Sequence, residues 1–333
     1  MKSPVTGKEM RLCKENRTFS FRKEEFSIVY HFYKCNDTDE SFTTTELDNL
    51  NLTQLYNQYR AKHKLPFPDQ IIKLRKKYGL SASKMSEILG FGTNSYRNYE
   101  SGEVPNMSNS RLIQLVEDAK EFKKLLLLSK AFKGKALEKQ INKLDLIILK
   151  QEEQQFQNQL EQYLIGDPVP SKFTGFRLPD FEKFTGMVVF FINKLNPWKT
   201  KLNKLLFYAD FMKYSGSGYS ISGMRYRAIP MGPVPENYNS IFEYLAGKVE
   251  IDIQITTFSN GGIGEKFKPN PKYKMTRDIF SESELNVLEK IAEKFRSTST
   301  DEIIGISHKG KGWIDNNRER KIIDYKYSFD IDL

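Results

Sequence analysis

The sequence predicts a multidomain α+β protein. It has a small β-rich N-terminal piece, an all-α stretch of short capped helices, a helical connector, and a mixed α+β C-terminal domain. Three observations carry this. Near the N-terminus, Phe19 and Phe21, then Ile28, Tyr30 and Phe32, alternate with other residues at the period of a half-buried strand. Between 69 and 130 the apolar spacing becomes helical and is punctuated by glycines and cap residues. Beyond a Pro/Gly-rich linker at 166–179, helical and extended patterns intermix. A chain of 333 residues suits two or three domains, and 39% hydrophobic content is enough for packed cores.

The elements follow in order. Short antiparallel strands are expected within 1–60, then a helix over 47–63, with Pro66 and Pro68 as a hinge. Asp69 is expected to cap a helix that Gly79 stops, and Ser81 to cap the next. Residues 131–165 read as a long helical connector with Ile141, Leu144, Ile148, Phe156, Leu160 and Leu164 on one stripe, interrupted by a Gln/Glu-rich stretch at 151–159. That stripe suits either self-association or a solvated spacer. Further helices are expected at 181–194, 199–213, 236–247 and 281–296, and strands at 225–229, 249–256 and 321–327. No internal repeat is visible.

Composition narrows the function classes. The net charge of +10 favours nucleic acid or an acidic partner. Two cysteines, Cys13 and Cys35, and three histidines, His31, His63 and His308, give no disulfide framework and no metal-ligand spacing, so no cofactor or metal is expected. The opening MKSPVTGKEM lacks the apolar core of a signal peptide, and the apolar runs at 125–128 and 187–192 are too short to span a membrane. A cytoplasmic protein is expected.

Residues 69–102 read as a helix-turn-helix. Met85, Ile88 and Leu89 face inward, Gly90-Phe91-Gly92 makes the turn, and TNSYRNYESG follows. Tyr96 and Tyr99, three apart, turn to the core and leave Asn94, Ser95, Arg97 and Asn98 in front. Asparagine pairs with adenine edges and arginine with guanine or phosphate. The candidate DNA contacts are Lys84, Thr93, Asn94, Ser95, Arg97 and Asn98, with Lys73, Arg75, Lys76 and Lys77 nearby for phosphates.

This segment, with EILGFGTNSYRNYESG at its centre, resembles the helix-turn-helix of MqsA-type antitoxins, within the lambda-repressor-like class. The resemblance implies base contacts from an Asn early in the recognition helix and an Arg four residues on. Asn94 matches the first, but the second position is Asn98, with Arg97 one residue earlier. The family opens with a zinc ribbon on two Cys-x-x-Cys pairs. Those positions here are Ser3, Thr6, Cys35 and Thr38, which implies a ribbon without metal.

In the C-terminal domain, Leu202, Leu205, Leu206 and Ala209 share a helical face, with Lys204 and Tyr208 four apart on another. SGSG at 215–218 is expected to end that helix, and Gly232-Pro233-Val234-Pro235 to form a stiff corner. Taken residue by residue, Lys204 reads as a snorkelling surface lysine, Tyr208, Tyr226 and Trp313 as core or interface aromatics, and His308 as a packing histidine. GGIG at 261–264 lacks the Lys-Ser/Thr of a phosphate loop. The order KLNKLLFYADF, GYSISGMRYRAIPMGPVP, SHKGKGW and a final strand resembles the Panacea (SocA-like) antitoxin domain. The resemblance implies a domain that binds and neutralises a toxin encoded nearby, with Lys204, Tyr208, Tyr226, Gly232, Pro233, His308 and Trp313 as motif or toxin-binding residues.

The expectation is a non-enzymatic antitoxin in four segments: a metal-free ribbon-like region at 1–64, a helix-turn-helix domain at 66–130, a connector at 131–175 and a Panacea domain at 176–333. Its partners would be a cognate toxin, operator DNA and a second copy of itself, with no membrane. The alternatives are a stand-alone transcription regulator that senses a ligand or protein, a proteolytic adaptor, and an enzyme built on His308 or Lys204.

Overall fold

A computed structural model describes residues 1–153, 155–165, 169–259, 261–271 and 277–331, without the side chains of 155–158 and 277. The fold is mixed α+β and multidomain. By contacts the chain forms two compact units, Met1–Leu55 with Gln162–Leu333, and Tyr56–Glu161.

The first unit begins with a hairpin, β1 (Arg11–Phe21) and β2 (Glu24–Lys34), extended by the short β3 (Ser41–Phe42). Its two-residue turn sets both Arg22 and Lys23 at positive φ, as a type I′ hairpin turn requires. Phe26, Ile28 and Phe32 are buried, so the period of two is real. The rest of β2's free edge is closed by α1 (Thr45–His63). Asn51 exchanges two bonds with the His31 backbone at 2.9 Å, and Gln54 does the same with Val29 at 3.1 and 2.9 Å. Side-chain amides thus stand in for a strand and satisfy edge groups that would otherwise be left unpaired.

The second unit is all helical. It contains α2 (Pro68–Tyr78), α3 (Ala82–Leu89), α4 (Ser95–Glu100), α5 (Met107–Leu115), α6 (Ala119–Ser129) and α7 (Gly134–Glu153), and reaches into α8 (Gln155–Ile165). Its core joins Ile71, Leu74, Tyr78, Met85, Tyr96 and Phe122 among others. The Tyr78 and Phe122 rings stack at 3.8 Å, and the Tyr78 hydroxyl donates to the Val116 carbonyl at 2.6 Å. Ser81 caps α3 as expected, but α2 is capped by Phe67 with Pro68 at its first turn, so Asp69 lies inside the helix. The connector is neither a spacer nor wholly free. Leu144 of α7 is buried in this core, with Ile147 and Ile148 packed against it. Lys123–Asp145 at 2.6 Å and Lys120–Glu152 at 3.0 Å tie α7 along α6. Leu160 is exposed, and the Phe156 side chain lies outside the described residues.

The C-terminal part of the first unit is built on two apolar helices, α9 (Phe181–Leu195) and α10 (Lys199–Ser217). Residues 201–211 of α10 are all buried, as for a helix enclosed on every side. The helix runs through Ser215-Gly216-Ser217 and stops only at Gly218, at φ 72°, later than expected. A hairpin follows, β4 (Tyr226–Ile229) with β5 (Gly232–Pro235), so the Gly-Pro-Val-Pro stretch is a strand and not a corner. Next come α11 (Tyr238–Gly247) and a second hairpin, β6 (Ile251–Thr257) with β7 (Ile263–Pro269), whose second strand absorbs the Ile263-Gly264 end of the glycine-rich stretch. The chain closes with α12 (Glu282–Lys294), α13 (Thr300–His308), α14 (Lys311–Ile314) and a 3₁₀ helix, Tyr325–Asp330. The strand expected at 321–327 is reduced to one bridge, Ile322 to Arg227, before the 3₁₀ helix starts.

The N-terminal sheet and the C-terminal 3₁₀ helix meet. Lys14 Nζ donates to the Phe329 carbonyl at 2.6 Å, and the buried His31 ring sits edge-on to Phe329 at 4.7 Å. Phe329 packs in turn on Tyr214 of α10 at 5.6 Å. No helix among the described residues is long and apolar enough to cross a membrane.

Candidate functional site

The first candidate surface is the front of α4. Tyr96 and Tyr99 turn inward and are fastened there. The Tyr96 hydroxyl donates to the Ile71 carbonyl at 2.9 Å, its backbone N–H donates to Ser86 Oγ at 3.2 Å, and the Tyr99 hydroxyl accepts from Asn109 at 2.8 Å. Arg75 clamps Glu100 at 2.5 Å from behind. With its back fixed, the helix holds Asn94, Arg97 and Asn98 out, all exposed, with exposed Thr93 in the turn and half-buried Ser95 opening the helix. Asn94 is the N-cap residue, yet its side chain makes no cap bond, so its amide stays available. Lys84 is different. Its amine is held by Glu87 at 2.6 Å and the Ala131 carbonyl at 3.2 Å, and it lies over the Phe132 ring. Arg75 and Lys77 are likewise spent on Leu80, Glu100 and Glu117 groups. The phosphate-facing charge expected from sequence is therefore smaller than a residue count suggests.

The second candidate is a 250 Å³ cavity on the C-terminal part. Phe207 and Tyr208 of α10, Pro233 of β5, Ser307, Trp313, and Tyr327 near the C-terminus line it. Trp313 donates its indole N–H to the Ile229 carbonyl at 2.8 Å, and His308 stacks on it at 3.9 Å. Tyr208 is buried against Phe295 at 5.0 Å, and burial pushes its phenol up. The SHKGKGW segment and the strand containing Pro233 thus converge on one cavity.

Lys204 overturns its surface reading. It is 0% exposed, and Nζ has no hydrogen-bond partner among the described residues. Burial pushes its ammonium down to about 7. Gly232, at φ 89°, makes room for it: a Cβ there would stand 2.5 Å from Lys204 Cε and 2.4 Å from Ser307 Oγ. Tyr226 is not at this site. It is fully buried and donates to Asp210 Oδ2 at 2.7 Å. Asp210 also accepts from the Ile221 and Ser222 amides at 2.8 Å and from the Ser222 hydroxyl at 2.5 Å. Burial raises the Asp210 carboxyl against these four donors. Sequence reasoning missed Asp210, although the SIS stretch eleven residues on offered the amides. It also missed Ser307 and the C-terminal wall of Tyr327, Asp330 and Ile331.

The N-terminal knuckles hold Ser3, Thr6, Cys35 and Thr38. Ser3 Oγ accepts from the Val5 and Thr6 amides, and Thr6 Oγ1 lies 3.6 Å from Cys35 Sγ. Bonds from the Thr38 and Ser3 hydroxyls and from the backbone lower the buried Cys35 thiol to about 6. One thiol among three hydroxyls does not fit a structural zinc, which takes four Cys or His ligands. No group of three His, Cys, Asp or Glu that could hold a metal occurs among the described residues.

Comparison with known proteins matches the sequence to two families. Residues 1–126 match the antitoxin component of bacterial toxin–antitoxin systems, MqsA, and residues 202–314 match the antitoxin SocA-like, Panacea domain. Over 103 residues the chain is 30% identical to Antitoxin MqsA of Escherichia coli (strain K12), covering 30% of this chain and 77% of that protein.

Proposed function

Because the chain belongs to the MqsA antitoxin family through its N-terminal region and carries a SocA-like Panacea domain, we propose that it is an antitoxin that neutralises a cognate toxin by direct binding. The toxin seats on the cavity between Tyr208, Pro233, Ser307 and Trp313. The observation that carries this is the convergence of separate motif segments on one cavity beside an unpaired buried lysine. Co-expression with the product of an adjoining reading frame that is lethal alone tests it: growth restored by the wild-type chain supports the reading, and continued arrest refutes it.

The same chain represses its own operon. Asn94, Arg97 and Asn98 read base edges from α4 while the buried tyrosines hold that helix in place. A dimer on a palindromic operator is the natural arrangement, and Leu127, Leu128, Leu146 and Leu149 leave exposed apolar surface on α6 and α7 for it. A monomeric sedimentation mass at micromolar concentration argues against that dimer. The work is binding, without catalysis, in the cytoplasm where the operator lies. The segments 1–64, 66–130, 131–175 and 176–333 are our assignment of functional parts; structurally, residues 1–55 of the first and all of the last lie in one compact unit. A stand-alone regulator is the second reading, favoured by a cavity large enough for a small ligand. Normal growth of cells that express every adjoining gene without this chain would select it.

A further inference from the structure

Lys204 is a charge without a counter-charge among the described residues. An ammonium buried alone costs several kcal/mol, so such a group either loses its proton or awaits an acid. Five acids on α10 and the elements packed against it are engaged. Asp210 takes its four donors, and Glu284 is held by Lys183 at 2.7 Å. Glu302 accepts from the Ser299 amide at 2.6 Å, and Glu265 pairs with Lys199 at 2.7 Å. Asp330, the one carboxylate among the described residues that lines the cavity, pairs with Lys311 at 3.5 Å. The other titratable groups at the cavity are Tyr208 on its own helix, Lys309 after α13 and Tyr327 in the 3₁₀ helix, with His308 stacked on Trp313; β5 carries none. None of them supplies a negative charge at neutral pH; burial is what moves the amine.

Lys204 lies behind the cavity wall rather than on it. Ser307 and Pro233 line the cavity, Ser307 Oγ shares the space above Gly232 with the lysine chain, and a Cβ on Gly232 would stand 3.3 Å from Nζ. We propose that Lys204 receives an acidic side chain of the partner protein, which enters the cavity between Tyr208, Pro233, Ser307 and Trp313. This rests on reading the cavity as the toxin site. The bound carboxylate supplies the missing counter-ion and holds the amine protonated. Binding above neutral pH therefore takes up a proton and weakens as pH rises.

Calorimetry of the full chain with the adjoining reading frame's product, at about pH 8 in two buffers of different ionisation enthalpy, tests this. The wild type should take up close to one proton. Lys204→Met, which removes the amine and keeps an unbranched chain out to Cε, should take up none and bind at least about 30-fold more weakly. Tight binding by wild type and variant alike, with no proton uptake, overturns the role of Lys204 and leaves the toxin site standing. No binding by the wild type overturns both. Because proton uptake is read on the wild type, the proposal stays falsifiable even if the variant folds poorly.

Discussion

Replacing Lys204 by methionine should stabilise the free protein, and the gain should depend on pH. The folded chain holds this amine near 7, against an ordinary 10.5. Between these values the unfolded chain carries a proton that the folded chain lacks, so wild-type stability climbs with pH across that window. Each pH unit is worth about 1.4 kcal/mol, which makes the whole cost at pH 7 on the order of 4 kcal/mol as an upper bound. Methionine has no proton to lose and fills much the same volume, so the variant escapes the cost. Its advantage should be roughly 2–4 kcal/mol at pH 7 and should shrink by about 2 kcal/mol by pH 8.5. Urea unfolding followed by tryptophan fluorescence suits the question, because Trp198 and Trp313, the chain's two tryptophans, both lie in the compact unit that contains Lys204. A variant that is less stable than wild type, or whose advantage does not change with pH, refutes the unpaired buried amine.

Asn94→Ala with Arg97→Ala should weaken specific operator binding by about 1–3 kcal/mol per lost contact, measured by fluorescence anisotropy, and leave toxin neutralisation intact. Tyr96→Phe removes the hydroxyl that reaches the Ile71 carbonyl and should cost about 0.5–1.5 kcal/mol in thermal unfolding, because that carbonyl keeps its helical partner within α2. Phe329→Ala should cost about 3–5 kcal/mol in chemical denaturation, because the ring is buried between His31 and Tyr214. Dialysis of the purified chain against zinc should leave well under one tightly held ion per chain by elemental analysis; a full equivalent contradicts the knuckle chemistry.

Local signals made much of this fold legible. Ser81, Gly79 and Gly90 punctuate the helices where their cap chemistry demands, and the spacing of Tyr96 and Tyr99 correctly separates core from front. Non-local packing was not legible. Nothing near Lys204 in the chain tells that α10 is enclosed on all sides, so a lysine among leucines read as a surface residue. The engagement of Lys84 with Ala131, and of Lys14 with Phe329, joins residues 47 and 315 positions apart. The helix Thr300–His308 was available in principle, since Ser299 and Glu302 form a capping box. The 3₁₀ helix at Tyr325–Asp330 replaced a strand because the aromatic alternation there serves a packed turn, with Tyr325 stacked on Phe211 at 4.3 Å.

The central claim is that this chain silences a toxin by holding it. Growth of cells that express the adjoining reading frame, with and without this chain, tests it most directly when paired with co-purification of the two proteins. The account predicts arrest without the chain, growth with it, and a stable complex of the two. Growth restored with no complex, or a complex that leaves the cells arrested, would contradict it.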